Sequence, residues 1–197
     1  CNISIASLHH GEAGAPLGDL LEDHALELGG FAPVIFVADE HNLFAVGKFL
    51  KDEGARYSTR PAQGASPMTL IPLPAFNDNY IWVLHDGRRA LVVDPGESEG
   101  VLRWLGSQGI TLDAILVTHH HGDHTGGVDA LRQATGARVI GPAREVVPEP
   151  LERVSEGDTI ELLGLRFEVM DVPGHTAGHI AYHCADVDGA PLLFCGD

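Results

Sequence analysis

The chain of 197 residues is poor in basic side chains. It has 12 lysine and arginine residues against 28 aspartate and glutamate residues, which gives a net charge of −16. No lysine follows Lys51. A protein that binds nucleic acid needs a basic stripe to neutralise phosphates, and this sequence has no such stripe. We therefore expect no nucleic acid partner.

Long apolar runs and paired cysteines are also missing. No stretch approaches the roughly 18–20 apolar residues that a membrane-spanning helix needs. Residues 1–30 contain acidic but no basic side chains, so they do not resemble a secretory signal. Cys1, Cys184 and Cys195 form no paired framework, which fits a reducing compartment. These absences predict a cytoplasmic protein without a membrane partner.

What the sequence does contain is a dense group of histidines. Four histidines and one aspartate lie within Thr118–His124, directly after the apolar run Ala114–Val117. The run predicts a buried strand that opens into a loop, and α/β proteins place their chemistry at such strand ends. Because side chains alternate in an extended segment, His119 and His121 are expected to face one point and His120 to face away.

A second pair of potential ligands follows at once. Gly122 is expected to permit a sharp backbone turn that directs Asp123 and His124 towards a neighbouring point. Mixed imidazole and carboxylate ligands suit zinc, iron or manganese rather than calcium or magnesium. An affinity tag is a poor explanation, since tags occupy termini in polar contexts. The regular spacing of the ligands also disfavours a chance cluster on the surface.

The segment resembles the HxHxDH motif of the metallo-β-lactamase superfamily. Its full form, THHHGDHTGG, resembles glyoxalase II, the hydroxyacylglutathione hydrolase family. The similarity runs from about Met68 to Asp197, and three further segments agree with the family in order: Ile71–Trp82 with its opening strands, Pro173–His179 with its PGHTxGH motif, and Phe194–Asp197 with its GD motif.

The resemblance implies an α/β fold, the metallo-β-lactamase αββα sandwich, which we expect to be C-terminally incomplete in this chain. Residues 68–197 would form the partial hydrolase domain. Residues 1–67 match nothing in the family and are expected to be an N-terminal extension of unknown role, joined by turn-rich residues 60–67. We prefer the interpretation that they lie upstream of a true start at Met68; a fused extension is the alternative.

Local patterns predict the elements. A hairpin is expected at Asp86-Gly87, and glycines are expected to end two helices. The predicted helices in the domain are Ser98–Gln108 and Gly127–Thr135. Within the extension, helical spacing occurs at Leu17–Leu28 and Asn42–Glu53, and a strand is possible at Pro33–Ala38.

The resemblance also assigns the ligands. It implies two divalent metal ions, with zinc preferred and iron or manganese as alternatives. Asp123 and Asp197 are the expected catalytic carboxylates, acting with metal-bound hydroxide. One further histidine of the family's second site has no match here. The implied ligands are His119, His121 and His175 for the first metal, Asp123 and His124 for the second, and Asp197 as the bridge.

The implied reaction is hydrolysis of the glutathione thioester S-D-lactoylglutathione to D-lactate and glutathione, a step in methylglyoxal detoxification, by a monomeric protein. A thioester suits such a site because its leaving thiolate, with a pKa near about 8.5, needs no strong general acid. The alternatives within the superfamily are a persulfide dioxygenase with one iron, a lactonase and a lactamase. Outside catalysis, the alternative is a truncated metal-binding fragment.

Several neighbouring residues have two interpretations each. Asp94 could orient a ligand histidine or form a turn before Pro95. His179 is expected to be structural rather than a ligand. Cys195 is expected to be a small core residue rather than a soft ligand.

The role of residues 1–67 can be tested by deletion from the full-length protein. If Met68 is the true start, kcat/KM should stay within about threefold, because a change below roughly 0.7 kcal/mol implies no lost contact to the transition state. Steady-state kinetics of the two proteins decides the question. A larger loss in a folded protein would show that the extension takes part in the site.

Overall fold

The computed structural model describes residues 33–37, 46–48, 67–77 and 79–197, and for the first two segments it describes the backbone alone. Two six-stranded sheets organise this part of the chain. The strands are β1 Pro33–Val37, β2 Val46–Lys48, β3 Thr69–Ala75, β4 Asn79–His85, β5 Arg89–Val93, β6 Thr111–Leu116, β7 Arg138–Pro142, β8 Glu152–Val154, β9 Thr159–Leu162, β10 Leu165–Asp171, β11 Ile180–Val187 and β12 Ala190–Phe194. The helices are α1 Glu99–Gln108, α2 Gly122–Thr125 and α3 Val128–Thr135.

The first sheet has the order β3-β4-β5-β6-β7-β8. Its first three strands are antiparallel, and the predicted hairpin between β4 and β5 is confirmed. Gly87 has φ 83°, and the carboxylate of Asp86 accepts the backbone N–H groups of Arg88 and Arg89, each at 2.8 Å. This side chain therefore satisfies the donors that the tight turn leaves unpaired.

Strands β5, β6, β7 and β8 run parallel, so their carboxyl ends lie along one edge of the sheet. The crossovers carry the two longer helices. Gly109 and Gly136 end α1 and α3 in the left-handed conformation, with φ 66° and 74°, as the sequence predicts. This arrangement brings the loop after β6, which contains the histidine cluster, to the edge where parallel α/β sheets bind their ligands.

The second sheet has the order β2-β1-β12-β11-β10-β9. Its strands β9 to β12 form an antiparallel meander, and β1 runs parallel to β12. The expected strand at Pro33–Ala38 corresponds to β1. The expected helix at Asn42–Glu53 is wrong at Val46–Lys48, because these residues pair with β1; the expected helix at Leu17–Leu28 lies outside the described residues.

Apolar side chains form two cores, one on each face of the first sheet. One face packs against α1 and α3 through side chains such as Val92, Ile115 and Leu131. The other face packs against the second sheet, where Phe167, Tyr182 and Phe194 are buried. The described residues thus form a helix, sheet and sheet in three layers, which is the expected αββα sandwich without helices on the outer face of its second sheet.

No helix in the described segments is both long enough and apolar enough to cross a membrane.

Tyr182 joins the two sheets through a polar contact inside an apolar core. Its fully buried hydroxyl donates to the carbonyl of Val117 at 2.8 Å and lies 3.2 Å from the carbonyl of Ile140. Burial raises the pKa of this phenol well above its ordinary value, so the hydroxyl is a donor at neutral pH. The contact fixes β11 against the strand end that leads into the histidine cluster.

Tyr182→Phe removes this donor and leaves a buried carbonyl with one partner fewer. We expect the free energy of unfolding to fall by about 1–2 kcal/mol, measured by urea denaturation. Thr159→Val, which removes a hydroxyl from an exposed position of β9, should change it by less than about 0.5 kcal/mol. Equal effects of the two variants would contradict a bridging role for the Tyr182 hydroxyl.

Candidate metal centre

Three loops meet at the carboxyl edge of the first sheet. The loop after β6 carries His119 and the residues that follow it, the loop between β10 and β11 carries His175, and the chain beyond β12 carries Asp197. The main chain joins two of these loops, because the N–H of Ile180 donates to the carbonyl of Thr118 at 3.1 Å. The tertiary fold thus assembles side chains that are far apart in the sequence.

The nitrogens of three histidines converge in the first group. His121 Nδ1 lies 3.2 Å from His119 Nε2 and 2.8 Å from His175 Nε2. All three atoms lie within 4.8 Å of one another. Zinc bound tetrahedrally at about 2.0–2.1 Å would separate its nitrogen ligands by roughly 3.3 Å. The group therefore fits one transition-metal ion.

A second group forms beside the first. It contains one ligand atom each from His119, His124 and Asp197, again within 4.8 Å of one another. Asp123 lies outside this group but close to it, with its Oδ2 3.5 Å from His124 Nε2. The structure thus places every predicted ligand at one centre.

The carboxylate of Asp197 lies between the two groups. Its Oδ2 is 3.3 Å from His175 Nε2 and 4.0 Å from His119 Nε2, on the side of the first group. Its Oδ1 is 3.2 Å from His124 Nε2, on the side of the second. Only 10% of this side chain is exposed. One oxygen therefore faces each group, as a bridging ligand requires.

Burial and charge act differently on the two central histidines. Burial lowers the pKa of His119 to about 4, so its imidazole is neutral and able to bind a metal. Burial also acts to lower the pKa of His124, but the carboxylates of Asp197 and Asp94 raise it to about 11. Both nitrogens of His124 are buried without a hydrogen bond, although carboxylate oxygens lie 3.2 and 3.3 Å away. Such surroundings favour positive charge, which a metal ion would supply.

Asp94 contacts the loop after β6, which carries His119 and His124. Its carboxylate accepts the Thr118 N–H at 2.8 Å and the Thr118 hydroxyl at 2.7 Å, and its Oδ2 lies 3.3 Å from His124 Nδ1. The residue itself has φ 49°, an uncommon conformation for a residue other than glycine. These contacts favour the interpretation that Asp94 orients a histidine over a turn-forming role alone.

Asn79 orients the side chain of Asp123 by a hydrogen bond. Its amide donates to Asp123 Oδ2 at 3.3 Å, and the residue is buried at the start of β4. The sequence predicts a loop at Asn79 and leaves open whether its role is functional or structural. The signal that could have identified it is a polar residue two positions before the buried apolar run that begins at Ile81 in β4.

The prediction that His120 faces away from the point shared by His119 and His121 is confirmed. Its backbone N–H donates to the carboxylate of Glu145 at 2.8 Å, and its ring Nδ1 contacts the same oxygen.

His179 is buried and stacks on His119 with 4.7 Å between ring centroids, which is a structural position. Burial raises the pKa of Cys195 to about 11, so its side chain is a neutral thiol at neutral pH. That Cys195 is a core residue rather than a ligand stays a prediction. Sequence reasoning missed Glu145.

The expected sharp turn at Gly122 is wrong. Residues Gly122–Thr125 form the short helix α2, in which the N–H groups of His124 and Thr125 both donate to the carbonyl of His121 at 3.0 Å. Gly122 does not have a positive φ, and a Cβ there would meet no atom within 4 Å. Local helical hydrogen bonds, rather than a glycine, therefore direct Asp123 and His124.

Close backbone approach is instead required at Gly96. A Cβ on Gly96 would lie 1.9 Å from the carbonyl oxygen of Asp123. Residues 96–100 also fit the G-x-S-x-G pattern of serine hydrolases. However, Ser98 precedes α1 with φ −106° and ψ −29°, a helical conformation, whereas the nucleophile of those enzymes occupies a strained turn. Packing against the ligand loop accounts for this glycine.

Comparison with known proteins finds a matching family and named relatives. The sequence profile of the Metallo-beta-lactamase superfamily matches residues 73–197. A protein of Albidiferax ferrireducens named hydroxyacylglutathione hydrolase is 68% identical over 130 residues, which are 66% of this chain and 51% of that protein. One of the same name from Ectopseudomonas mendocina is 58% identical over 128 residues, covering 64% of this chain and 49% of that protein. The chain thus spans about half the length of the curated relatives it matches.

Solved structures share the fold. The structure of ETHE1 from Myxococcus xanthus is 30% identical with a TM-score of 0.56, and the match covers 66% of this chain and 57% of that chain. The structure of the BLEG-1 B3 metallo-beta-lactamase is 26% identical with a TM-score of 0.51, covering 59% of this chain and 66% of that chain.

Gly196 gives a test of how closely the bridging carboxylate is packed. It has φ 62°, and a Cβ there would lie 2.5 Å from Thr118 Oγ1 and 2.6 Å from His179 Nε2. Gly196→Ala should lower the free energy of unfolding by about 1–3 kcal/mol, the cost of a strained backbone. It should also reduce the metal content, because it displaces Asp197.

The matched control is Gly122→Ala, because this glycine also lies beside the ligands but has open space and an unstrained φ. It should change the free energy of unfolding by less than about 0.5 kcal/mol. Urea denaturation and elemental analysis compare the two variants. A Gly196→Ala protein as stable as Gly122→Ala would contradict the close packing.

Proposed function

Because the chain belongs to the metallo-β-lactamase superfamily, we propose that it is the metal-binding part of a glutathione thioesterase of the hydroxyacylglutathione hydrolase type. Its substrate would be S-D-lactoylglutathione, and the products D-lactate and glutathione. Such a reaction removes the product formed from methylglyoxal and glutathione.

The observation that carries this proposal is the position of Asp197. One carboxylate oxygen faces the three-histidine group and the other faces His124, so a single side chain can hold two ions at once. Carboxylates that bridge in this way neutralise part of the repulsion between neighbouring cations. We assign the first ion to His119, His121 and His175, the second to Asp123 and His124, and both to Asp197.

The donor set suits zinc, with iron or manganese as alternatives, because it combines imidazole nitrogens with carboxylate oxygens. When bound, such ions activate water and polarise a carbonyl group. The side chains of this chain would do the rest. Asp123 and Asp197 supply negative charge and acceptors for the proton of the attacking water. Asp94 and Asn79 keep His124 and Asp123 in their orientations.

Two arguments support a thioester as the substrate. The relative from Albidiferax ferrireducens, 68% identical across the matched region, is named hydroxyacylglutathione hydrolase. In addition, a thiolate leaves without a strong general acid, since its pKa lies near about 8.5. Burial raises the pKa of the nearby Cys195 to about 11, so that thiol is a poor proton donor for a leaving group.

The proposal predicts the metal content and activity of the full-length protein. It should retain close to two transition-metal ions after dialysis and should hydrolyse S-D-lactoylglutathione with release of a free thiol. Asp197→Asn removes a negative charge between two cations and should lower kcat by at least about a hundredfold, since lost outer partners of a metal site alone cost roughly 10- to 100-fold.

The companion variant is His120→Asn, which alters a histidine of the same motif whose ring Nδ1 contacts Glu145 and which belongs to neither ligand group. It should lower kcat by less than about tenfold. Elemental analysis accompanies the kinetics of each variant. The proposal fails if the metal-loaded protein does not hydrolyse the thioester, or if His120→Asn is the more damaging change.

A further inference from the structure

We propose that Glu145 is a positioning residue for the metal centre: its carboxylate fixes the loop of His119 and His121 against the loop of His175. Glu145 lies in the connection after β7, outside the four segments that resemble the family's motifs. The inference rests on the proposed function only in that the clustered histidines bind metal. It assigns Glu145 no contact with metal or substrate.

The two carboxylate oxygens of Glu145 bind different loops. Oε2 accepts the backbone N–H of His120 at 2.8 Å and contacts the ring Nδ1 of the same residue. Oε1 accepts the hydroxyl of Thr176 at 2.6 Å and the backbone N–H of Gly178 at 2.8 Å. His120 stands between two assigned ligands, and Thr176 directly follows a third. One carboxylate therefore sets the distance between both parts of the first ligand group.

The buried carboxylate of Glu145 is stable only while its hydrogen bonds are made. Only 3% of the Glu145 side chain is exposed, and a buried charge without partners costs several kcal/mol. Burial acts to raise the pKa of Glu145, but the donors of Thr176, His120 and Gly178 lower it to about 2. The group is thus an anion that only accepts hydrogen bonds at neutral pH. Any movement of one loop away from the other would break bonds to it.

Gly178 provides independent evidence that this contact is close. A Cβ on Gly178 would lie 2.7 Å from Glu145 Cγ, 2.9 Å from its Oε1 and 3.0 Å from the carbonyl oxygen of Arg144. A side chain at this position would push the loop of His175 away from the carboxylate of Glu145. The close packing of Gly178 against Glu145 therefore requires glycine at this position.

The decisive variant is Glu145→Gln, which keeps the shape but replaces one acceptor oxygen by a donor. The amide group must then face the N–H of His120 or the donors of the Thr176 loop, so one half of the link is lost. We expect zinc affinity, measured by competition with a chromophoric chelator, to fall by about 10- to 100-fold. The absorption spectrum of the cobalt-substituted protein should also change, because the ligand geometry changes.

The matched control is Glu152→Gln, which removes a carboxylate that is 46% exposed and paired with Arg138 on the surface. Its zinc affinity and cobalt spectrum should equal those of the wild type. Circular dichroism and thermal unfolding of the metal-free proteins verify the fold. A folded Glu145→Gln protein with zinc affinity within threefold of the wild type and an unchanged cobalt spectrum would overturn the inference.

Thr176→Val is the second variant, for the case that Glu145→Gln does not fold. It removes a single hydrogen bond from the Thr176 hydroxyl to Oε1, and we expect a smaller loss of zinc affinity, about three- to tenfold, as one hydrogen bond contributes. Unchanged affinity in this variant would again overturn the inference. Failure of the proposed function is distinguishable, because in that case the wild-type protein itself would bind no metal or would not hydrolyse the thioester.

Discussion

The loops that carry the candidate metal ligands depend on buried carboxylates that must remain paired. Asp94 and Glu145 are both nearly inaccessible to solvent, and each accepts hydrogen bonds from the backbone of the segment that carries the histidine cluster. A carboxylate in such surroundings strongly disfavours any arrangement that leaves it without donors. Asp94 holds Thr118, at the start of the cluster, and Glu145 holds His120, in its middle. Together they limit the backbone positions that the ligands can adopt.

The fold makes these contacts possible by bringing strand ends to one edge. The parallel strands of the first sheet direct the loops after β5, β6 and β7 to the same side, and Asp94, the histidine cluster and Glu145 each lie in one of those loops. The second sheet contributes His175 and Asp197 from its own strand ends. Tyr182 joins the two layers where they support this edge. The packing of the two sheets thus determines the distance between the two sources of ligands.

The charge of the centre is consistent with a cationic ligand. Asp94, Asp123 and Asp197 all lie within 3.5 Å of His124, and Asp94 and Asp197 raise its pKa to about 11. At the same time burial lowers the pKa of His119 to about 4. The centre therefore combines a neutral imidazole at His119 with three carboxylates around His124. Metal ions satisfy both requirements, since they bind lone pairs and neutralise carboxylates.

The sequence alone indicated the candidate ligands and much of the fold, because both are marked by local patterns and motifs. Alternation predicted that His120 faces away, glycines predicted the ends of α1 and α3, and the resemblance of four segments to a known family identified the six candidate ligands that the structure gathers. The tertiary structure decided what depends on distant contacts. Glu145 and Asn79 have no motif, and Gly122 suggested a turn where helical hydrogen bonds form instead. The sequence also did not predict that one oxygen of Asp197 faces His175 and the other His124. That arrangement forms only when the two sheets pack against each other.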